Sequence, residues 1–360
     1  MPPGPLRVLV INPGSTSTKF AIYAEDRVEF VASLRHTDAE MEQFRGRPIL
    51  DQQPFRASLI ERELSRTGNA LKDLRAVAGR GGLLRPLESG TYRVNQAMLE
   101  ELCAARRGEH ASNLGAVLAL EIARHAGVEA YVVDPVSVDE WPECARLSGC
   151  ALLERHCLSH ALNTKAVSKR YAREIAKPYQ ELRLIVAHVG SGISVSAHQR
   201  GRMIDVTNSR EEGAFSSERA GTVPAIKLVD LCFSGQYTRK QMETILFREG
   251  GFYSYLGTKD LVEVERRIAA GDRRAALVFA AMSYQISKEI GAMAAVLKGQ
   301  VDAVLITGGM AHSDRLINQL RPAVEWIAPL KIYPGEDELQ ALAEGVLRVL
   351  RGEEQIRELE

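Results

Sequence analysis

The stretch Val8-Leu9-Val10-Ile11-Asn12-Pro13-Gly14-Ser15-Thr16-Ser17-Thr18-Lys19 decides the fold. Residues 6–11 are an unbroken apolar run rich in Val and Ile, the pattern of a buried strand. Residues 12–18 are a cluster of turn formers. Residues 20–23 resume as a strand, Asp26-Arg27 turns, and residues 28–34 continue. Glycine permits close approach to the backbone. The N–H groups and hydroxyls of such a hairpin, Ser15 and Ser17 among them, can surround phosphate oxygens, and Lys19 adds a point charge. Asn12 can offer an amide oxygen to a magnesium shell. Any β-turn also needs small polar residues, so the hairpin alone fits a phosphate loop and an ordinary turn equally well.

The same grammar returns downstream. Residues 184–189 are apolar, Gly190-Ser191-Gly192 turns, residues 193–197 form a second strand, and Gln199-Arg200-Gly201 leads into residues 203–206. Two such units imply two domains of similar build. Two hairpins, one per domain, are the logic of a nucleotide cleft between domains. His188 stands at its strand end beside a glycine-rich turn, which favours a functional histidine over a satisfied core one. The last strand expected, residues 301–306, runs into Thr307-Gly308-Gly309, where paired glycines let the chain pass beneath a flat ligand such as adenosine. Residues 95–106, 112–125, 159–176, 273–298 and 338–351 carry helix-like apolar spacing, and the long Ala- and Met-rich 273–298 segment reads as buried. Strands alternating with helices give an α/β fold.

Composition removes several function classes. Lys+Arg and Asp+Glu both number 46, so the formal net charge is zero, which argues against a nucleic-acid partner held by long-range attraction. The longest apolar run, residues 275–282, is far short of the roughly 20 residues of a membrane span. The N-terminus lacks the basic region of a secretory signal. Five scattered cysteines with no CxxC read as reduced thiols of a cytoplasmic protein, mostly buried as small apolar residues. GxxxxGK[ST], GxGxxG after a strand, HRD, DFG and HExxH are all absent.

Further candidates lie beside glycines and strand ends. Arg80 sits in Gly79-Arg80-Gly81-Gly82 and Arg219 in Glu218-Arg219-Ala220-Gly221; a guanidinium matches carboxylate and phosphate oxygens bidentately. Asp134 ends the apolar residues 130–133, where a carboxylate can serve magnesium or a turn before Pro135. His156 and His160 would share a helical face but lack a third ligand. Glu336-Asp337-Glu338 is either a helix N-terminus favoured by the macrodipole or an acidic group near magnesium.

Taken in order, these motifs resemble the acetate and butyrate kinase family, within the actin-like and sugar-kinase-like phosphotransferases. The opening hairpin, Gly79-Arg80-Gly81-Gly82, Val133-Asp134, His160-Ala161-Leu162-Asn163, His188-Val189-Gly190-Ser191-Gly192, Glu218-Arg219-Ala220-Gly221 and Thr307-Gly308-Gly309 span nearly the whole chain. The resemblance implies two similar actin-like (ribonuclease H-like) domains, each a mixed five-stranded sheet with helices, residues 1–157 plus 338–360 and residues 158–337, with a nucleotide cleft between them. It implies Mg-ATP and reversible transfer of the γ-phosphoryl to a short-chain carboxylate. Arg80 and Arg219 would neutralise the acid and the phosphoryl group, and His160 would hold the transferring oxygens. Asn12, Asp134 and Glu338 would organise Mg²⁺, with Asp337 and Glu338 left as alternatives. Ser15, Ser17, Lys19, His188, Gly190, Ser191 and Gly192 would follow the phosphates of ATP/ADP, with Gly308 and Gly309 at the adenosine.

Within the family, Pro13, the His160-Ala161-Leu162-Asn163 segment and Ser191 depart from the acetate kinase pattern and place the chain nearer the butyrate kinases. Butyrate is therefore the expected acceptor, with isobutyrate, propionate or acetate as alternatives and a non-catalytic actin-like nucleotide switch as the competing class. The partners implied are a small carboxylate and a nucleotide, and at least a homodimer.

Overall fold

The computed structural model describes residues 5–360. The chain divides into two compact units: one runs to Asp139 and takes back Asp337–Glu360, and the other is Glu140–Glu336.

In the first unit, β1 (Arg7–Pro13), β2 (Ser17–Ala24), β3 (Arg27–Arg35), β4 (Ala76–Arg80), β5 (Thr91–Arg93) and β6 (Glu129–Val133) form one sheet in the order β3-β2-β1-β4-β6-β5. β1 runs antiparallel to β2 and parallel to β4, and β4 runs parallel to β6. Val8 through Ile11 are fully buried, as an unalternating apolar run requires. The sheet has six strands where five are expected from sequence. The extra one, β5, is a three-residue antiparallel edge, too short to register as an apolar run.

Helix Asn113–Ala126 lies on this sheet at unusually close range. A Cβ on Gly79 would fall 1.9 Å from the Gly115 carbonyl oxygen, and one on Gly115 would fall 2.1 Å from that of Arg80. Backbone meets backbone there, which sets the height of Arg80 at the end of β4. Helix Glu338–Leu350 also packs against β1, β4 and β6, burying Leu342, Ala343, Val346 and Leu347.

The second unit holds β7 (Arg183–Val189), β8 (Ile193–Gln199), β9 (Arg202–Val206), β10 (Ala303–Gly308) and β11 (Leu330–Pro334), in the order β11-β10-β7-β8-β9. The meander β7-β8-β9 repeats β1-β2-β3, and β10 and β11 stand parallel beside β7 as β4 and β6 stand beside β1. The repeat extends to detail. Each meander shifts register, at Ile22/Tyr23 and at Ala197/His198, and each second turn carries a left-handed residue, Glu25 (φ 51°) and Arg200 (φ 53°).

Three expectations are corrected. β11 is a strand beyond the one read as last; it is a partly exposed edge, so its residues give no buried run. Helix Arg273–Val296 buries only one face, leaving Leu277 and Tyr284 63% and 66% exposed. Four of the five cysteines (Cys103, Cys144, Cys150 and Cys232) are exposed and only Cys157 is buried; all are free thiols. The sequence reading places the first changeover at 157/158, yet residues 140–157 make close polar contacts within the second unit. Glu140 accepts from Lys165 Nζ at 2.6 Å, and Arg155 pairs with Asp205 and Glu212. Among the described residues no helix is long and apolar enough to cross a membrane.

Candidate active site

The first unit assembles its polar groups at the C-terminal ends of parallel strands, where open α/β sheets place ligands. Ile11 pairs with Gly79 and Arg80 with Val133, so Asn12, Arg80 and Asp134 stand along one edge. Glu338 reaches the same place from the first residue of its helix. Arg80 grips it with two nitrogens, Nη1 to Oε2 at 2.9 Å and Nη2 to Oε1 at 2.8 Å. Asn12 Nδ2 donates to Glu338 Oε2, and Arg80 Nη1 reaches Asn12 Oδ1 at 3.4 Å. Asn12, Arg80 and Glu338 are thus one cluster. Asp134, left-handed at φ 36° and buried, accepts from the Gly90 amide at 2.7 Å. Of the acidic run, Glu338 is in the cluster and Asp337 is exposed.

Lys19 pairs with Asn12 across β1 and β2, so the two side chains share a face of the sheet, and Lys19 is exposed. Ser15 is exposed in the turn and Ser17 opens β2.

In the second unit, two predicted histidines meet. His160 precedes helix Ala161–Glu174, and its ring stacks on His188 with centroids 3.8 Å apart and planes 8° from parallel. His160 Nδ1 lies 2.9 Å from Ser194 Oγ, and His188 Nδ1 lies 2.9 Å from Asn163 Oδ1. Asn163 Nδ2 donates to the Glu336 carbonyl at 2.8 Å, which orients the amide. His188 Nδ1 therefore carries a proton, and Nε2 points toward the Glu336 carboxylate, 3.5 Å away.

The β7–β8 turn is tied by Gly190 N donating to Gly192 O at 3.1 Å and by Ser216 Oγ donating to Ser191 O. Arg219 lies directly on it: a Cβ on Gly192 would fall 2.6 Å from Arg219 Nη1. That nitrogen donates to Ser209 O and Oγ, at 3.2 and 2.9 Å. Among the described residues Arg219 has no carboxylate at ion-pairing distance, and its Nε and Nη2 have no protein acceptor. Burial lowers its pKa below the ordinary value, with Glu218 opposing and Arg210 reinforcing the shift. It remains a guanidinium at neutral pH.

Gly308 is held at φ 96° against Val189, where a Cβ would fall 2.3 Å from the carbonyl oxygen; only glycine fits. Gly309, Gly190 and Ser191 line a cavity of about 440 Å³ together with Lys259, Glu265 and Glu336. Asn163 and Ser194 carry no role in the sequence reading, and Glu336 enters it only as part of the acidic run 336–338, weighed for magnesium or a helix N-terminus. All three stand inside motifs quoted there, but only pairing across β7, β8 and the helix reveals that they order the two histidines. Among the described residues no group of three or more His, Cys, Asp or Glu is arranged to hold a metal ion.

Residues 152–328 match the model of the Acetokinase family. Among solved structures, the chain is similar to the acetate kinase of Porphyromonas gingivalis, at 19% identity and a TM-score of 0.79, covering 95% of this chain and 99% of that one. It is also similar to a propionate kinase from Francisella tularensis (17%, TM-score 0.73, 94% and 98% covered) and to the acetate kinase of Entamoeba histolytica (15%, TM-score 0.75, 94% and 98% covered). At these identities the likeness establishes the fold, and the two-domain actin-like architecture expected from the sequence is the one found.

Proposed function

We propose that this protein transfers the γ-phosphoryl group of ATP to a short-chain carboxylate, with butyrate the preferred acid, giving an acyl phosphate and ADP reversibly. The observation that carries the reading is Arg219, a half-buried guanidinium with no carboxylate partner and two nitrogens unclaimed, seated on a glycine turn inside the segment that matches the Acetokinase family. Such a cation is made for an anion from outside the protein.

The chemistry asks little of acid–base catalysis, because a carboxylic acid is already ionised near neutral pH. The work is positioning and charge stabilisation as one anion attacks another. Arg219 would hold the acid's headgroup or the in-flight phosphoryl oxygens, with Arg80 the second such group, bound meanwhile to Glu338. His160, fixed by Ser194 and by stacking on His188, would donate to the transferring oxygens. Lys19, Ser15, Ser17 and the turn Gly190-Ser191-Gly192 would follow the phosphates, and Gly308 and Gly309 would border the adenosine.

Magnesium prefers oxygen ligands. Asn12 Oδ1 and the Glu338 carboxylate supply them side by side, and the guanidinium on both Glu338 oxygens marks the place as one that takes positive charge. These residues would hold Mg²⁺, with Asp134 acting through its water shell; the ion would neutralise phosphate charge.

Butyrate over acetate rests on Pro13, the His160-Ala161-Leu162-Asn163 segment and Ser191. Acetate or propionate is the second reading, favoured by the names of the similar structures. The test is hydroxamate trapping with ATP, Mg²⁺ and acids of two to five carbons. Acyl hydroxamate with a maximum at four carbons is expected. A maximum at acetate moves the assignment to the second reading, and no product with any acid removes the kinase.

We also propose self-association through the second unit. None of the residues of helix Ala225–Cys232 is buried, although Ile226, Leu228, Val229 and Leu231 are apolar, and Phe233 beyond it is 86% exposed. Monomers rarely leave such a face in water.

A further inference from the structure

We propose that Arg56 is a positioning residue that shapes the β1–β2 hairpin for the nucleotide's phosphates; this rests on the carboxylate-kinase reading for its ligand. Arg56 projects from helix Gln53–Arg66 and is fully buried. Its Nη1 donates to Gly14 O at 2.8 Å, Ser17 O at 3.2 Å and Thr18 Oγ1 at 3.0 Å. Its Nη2 donates to Ser15 O at 3.2 Å, and Nε and Nη2 both donate to Gln52 Oε1, at 3.0 and 2.8 Å. One guanidinium therefore collects the carbonyls of Gly14, Ser15 and Ser17. With those carbonyls turned toward Arg56, the turn's dipoles are held in one arrangement before any ligand arrives.

The charge itself is unbalanced. Among the described residues no carboxylate lies at ion-pairing distance from Arg56, and every acceptor it uses is neutral. Burial lowers its pKa to about 10, which leaves it charged at neutral pH.

Proton counting extends the network. The Thr18 hydroxyl accepts from Arg56 and has one hydrogen of its own, which it gives to His36 Nε2, 2.9 Å away. His36 Nδ1 then bears the ring proton, and that atom is buried without a partner. His36 is held neutral by burial and by the Arg56 charge. The cationic charge thus sits on Arg56 alone, behind the turn, where it favours an anion bound in front.

The experiment compares wild type with Arg56→Lys and Arg56→Met. The readouts are thermal midpoint, hydrogen exchange of the amides of residues 14–18, and KM for ATP against KM for the acid. Amide exchange at 14–18 is expected to rise at least tenfold, and KM for ATP by roughly tenfold to hundredfold, while KM for the acid stays within about twofold. Lysine should recover part of the ATP loss of the methionine variant, because it keeps the charge but not the fork. Equal increases in both KM values, or unchanged exchange in a folded variant, overturn the proposal. If Arg56→Met does not fold, Arg56→Lys decides alone. If wild type traps no acyl phosphate, the kinase reading fails separately, and ATP affinity of the variants by calorimetry with hydrogen exchange still tests Arg56.

Discussion

The two β-hairpins repeat one topology, and each leans on an arginine, but the arginines are employed differently. Arg56 spends all three of its nitrogens on the protein: carbonyls of the first turn, Thr18 and Gln52. Arg219 touches the second turn at Gly192 yet commits one nitrogen, to Ser209. Donor accounting separates a cation that spends every nitrogen on a loop from one that leaves two without a protein acceptor, which residue type and burial alone do not. The sharpest way to break this contrast is Arg219→Ala. It should cost roughly 10³-fold in acyl hydroxamate formation, within the range for guanidinium groups at transferring phosphoryls, and leave the thermal midpoint nearly unchanged. A large drop in midpoint with modest loss of rate would make Arg219 a brace like Arg56. Retained ATP binding with rate lost would also set aside the nucleotide-switch alternative.

The clusters near the hairpins differ in the same way. The Nδ1 atoms of His160 and His188 are held by neutral groups, Ser194 and Asn163, with the Glu336 carboxylate only 3.5 Å from His188 Nε2, whereas Arg80 is gripped at both ends of its fork by the Glu338 carboxylate. Glu338→Gln keeps the shape and removes the charge. The expected loss is roughly 10²-fold in rate with the Mg²⁺ requirement moved to higher concentration, a size typical of one electrostatic group at a transition state. A titration of rate against Mg²⁺ checks it. An unshifted Mg²⁺ dependence with a lowered melting point would make Glu338 only the anchor of Arg80.

Buried histidines offer a third comparison. His36 behind the first hairpin and His198 on β8 are both kept neutral by burial, His198 down to about 3. His198 is wedged between Tyr179 OH at 2.6 Å and Ser196 Oγ at 2.8 Å. The unfolded chain protonates its histidines near 6.5, and the folded chain resists. For His198 the stability contribution is therefore fully present above pH 6.5 and is lost at about 1.4 kcal/mol per pH unit as pH drops toward 3, and His36 acts in the same direction. Urea midpoints at pH 7, 6, 5 and 4 should trace this slope for wild type, and His198→Gln should flatten it. A variant with the wild-type slope would place the acid sensitivity elsewhere.

Much of the scaffold was legible because the buried strands are unbroken apolar runs. β1 and β7 announce themselves through residues 8–11 and 184–187, and the turns follow from Pro13-Gly14 and Gly190-Ser191-Gly192. β5 and β11 were not legible, since an edge strand of three residues or one half in solvent leaves no such run. Arg80, Asn12 and Glu338 could be named singly from their glycines and strand ends, but their meeting depends on parallel register and on a helix arriving from residue 338. Arg56 gave no signal at all, for a single arginine between Phe55 and Ala57 in an ordinary helix carries no mark of burial, and it is buried only because Gln52 and the turn's carbonyls satisfy it. Cys103, Cys144, Cys150 and Cys232 misled because cysteine is usually buried, and that habit says nothing about a particular loop.

The last contrast is between the surfaces of the two units. Exposed large apolar residues are sparse on the first unit, with Val28 and Val31 on the outer strand of its sheet the main pair. The second unit exposes Ile226, Phe233, Leu277, Tyr255 and Tyr284, and beside helix Ala225–Cys232 runs a groove of about 590 Å³ lined by Leu228, Leu231, Met242 and Leu246. Exposed aromatics of this size each offer roughly 150–250 Å² to a partner, so a few suffice for the approximately 800 Å² per subunit of a standard interface. Phe233→Ser with Ile226→Ser should convert an assembly of two or more chains to the 39.6 kDa monomer in light scattering. Monomer stability should move by no more than about 0.5 kcal/mol, because neither side chain is buried within its own chain. A double variant with the wild-type mass, or a wild type already monomeric at micromolar concentration, removes this face as the site of self-association and leaves the contrast between the units without a functional reading.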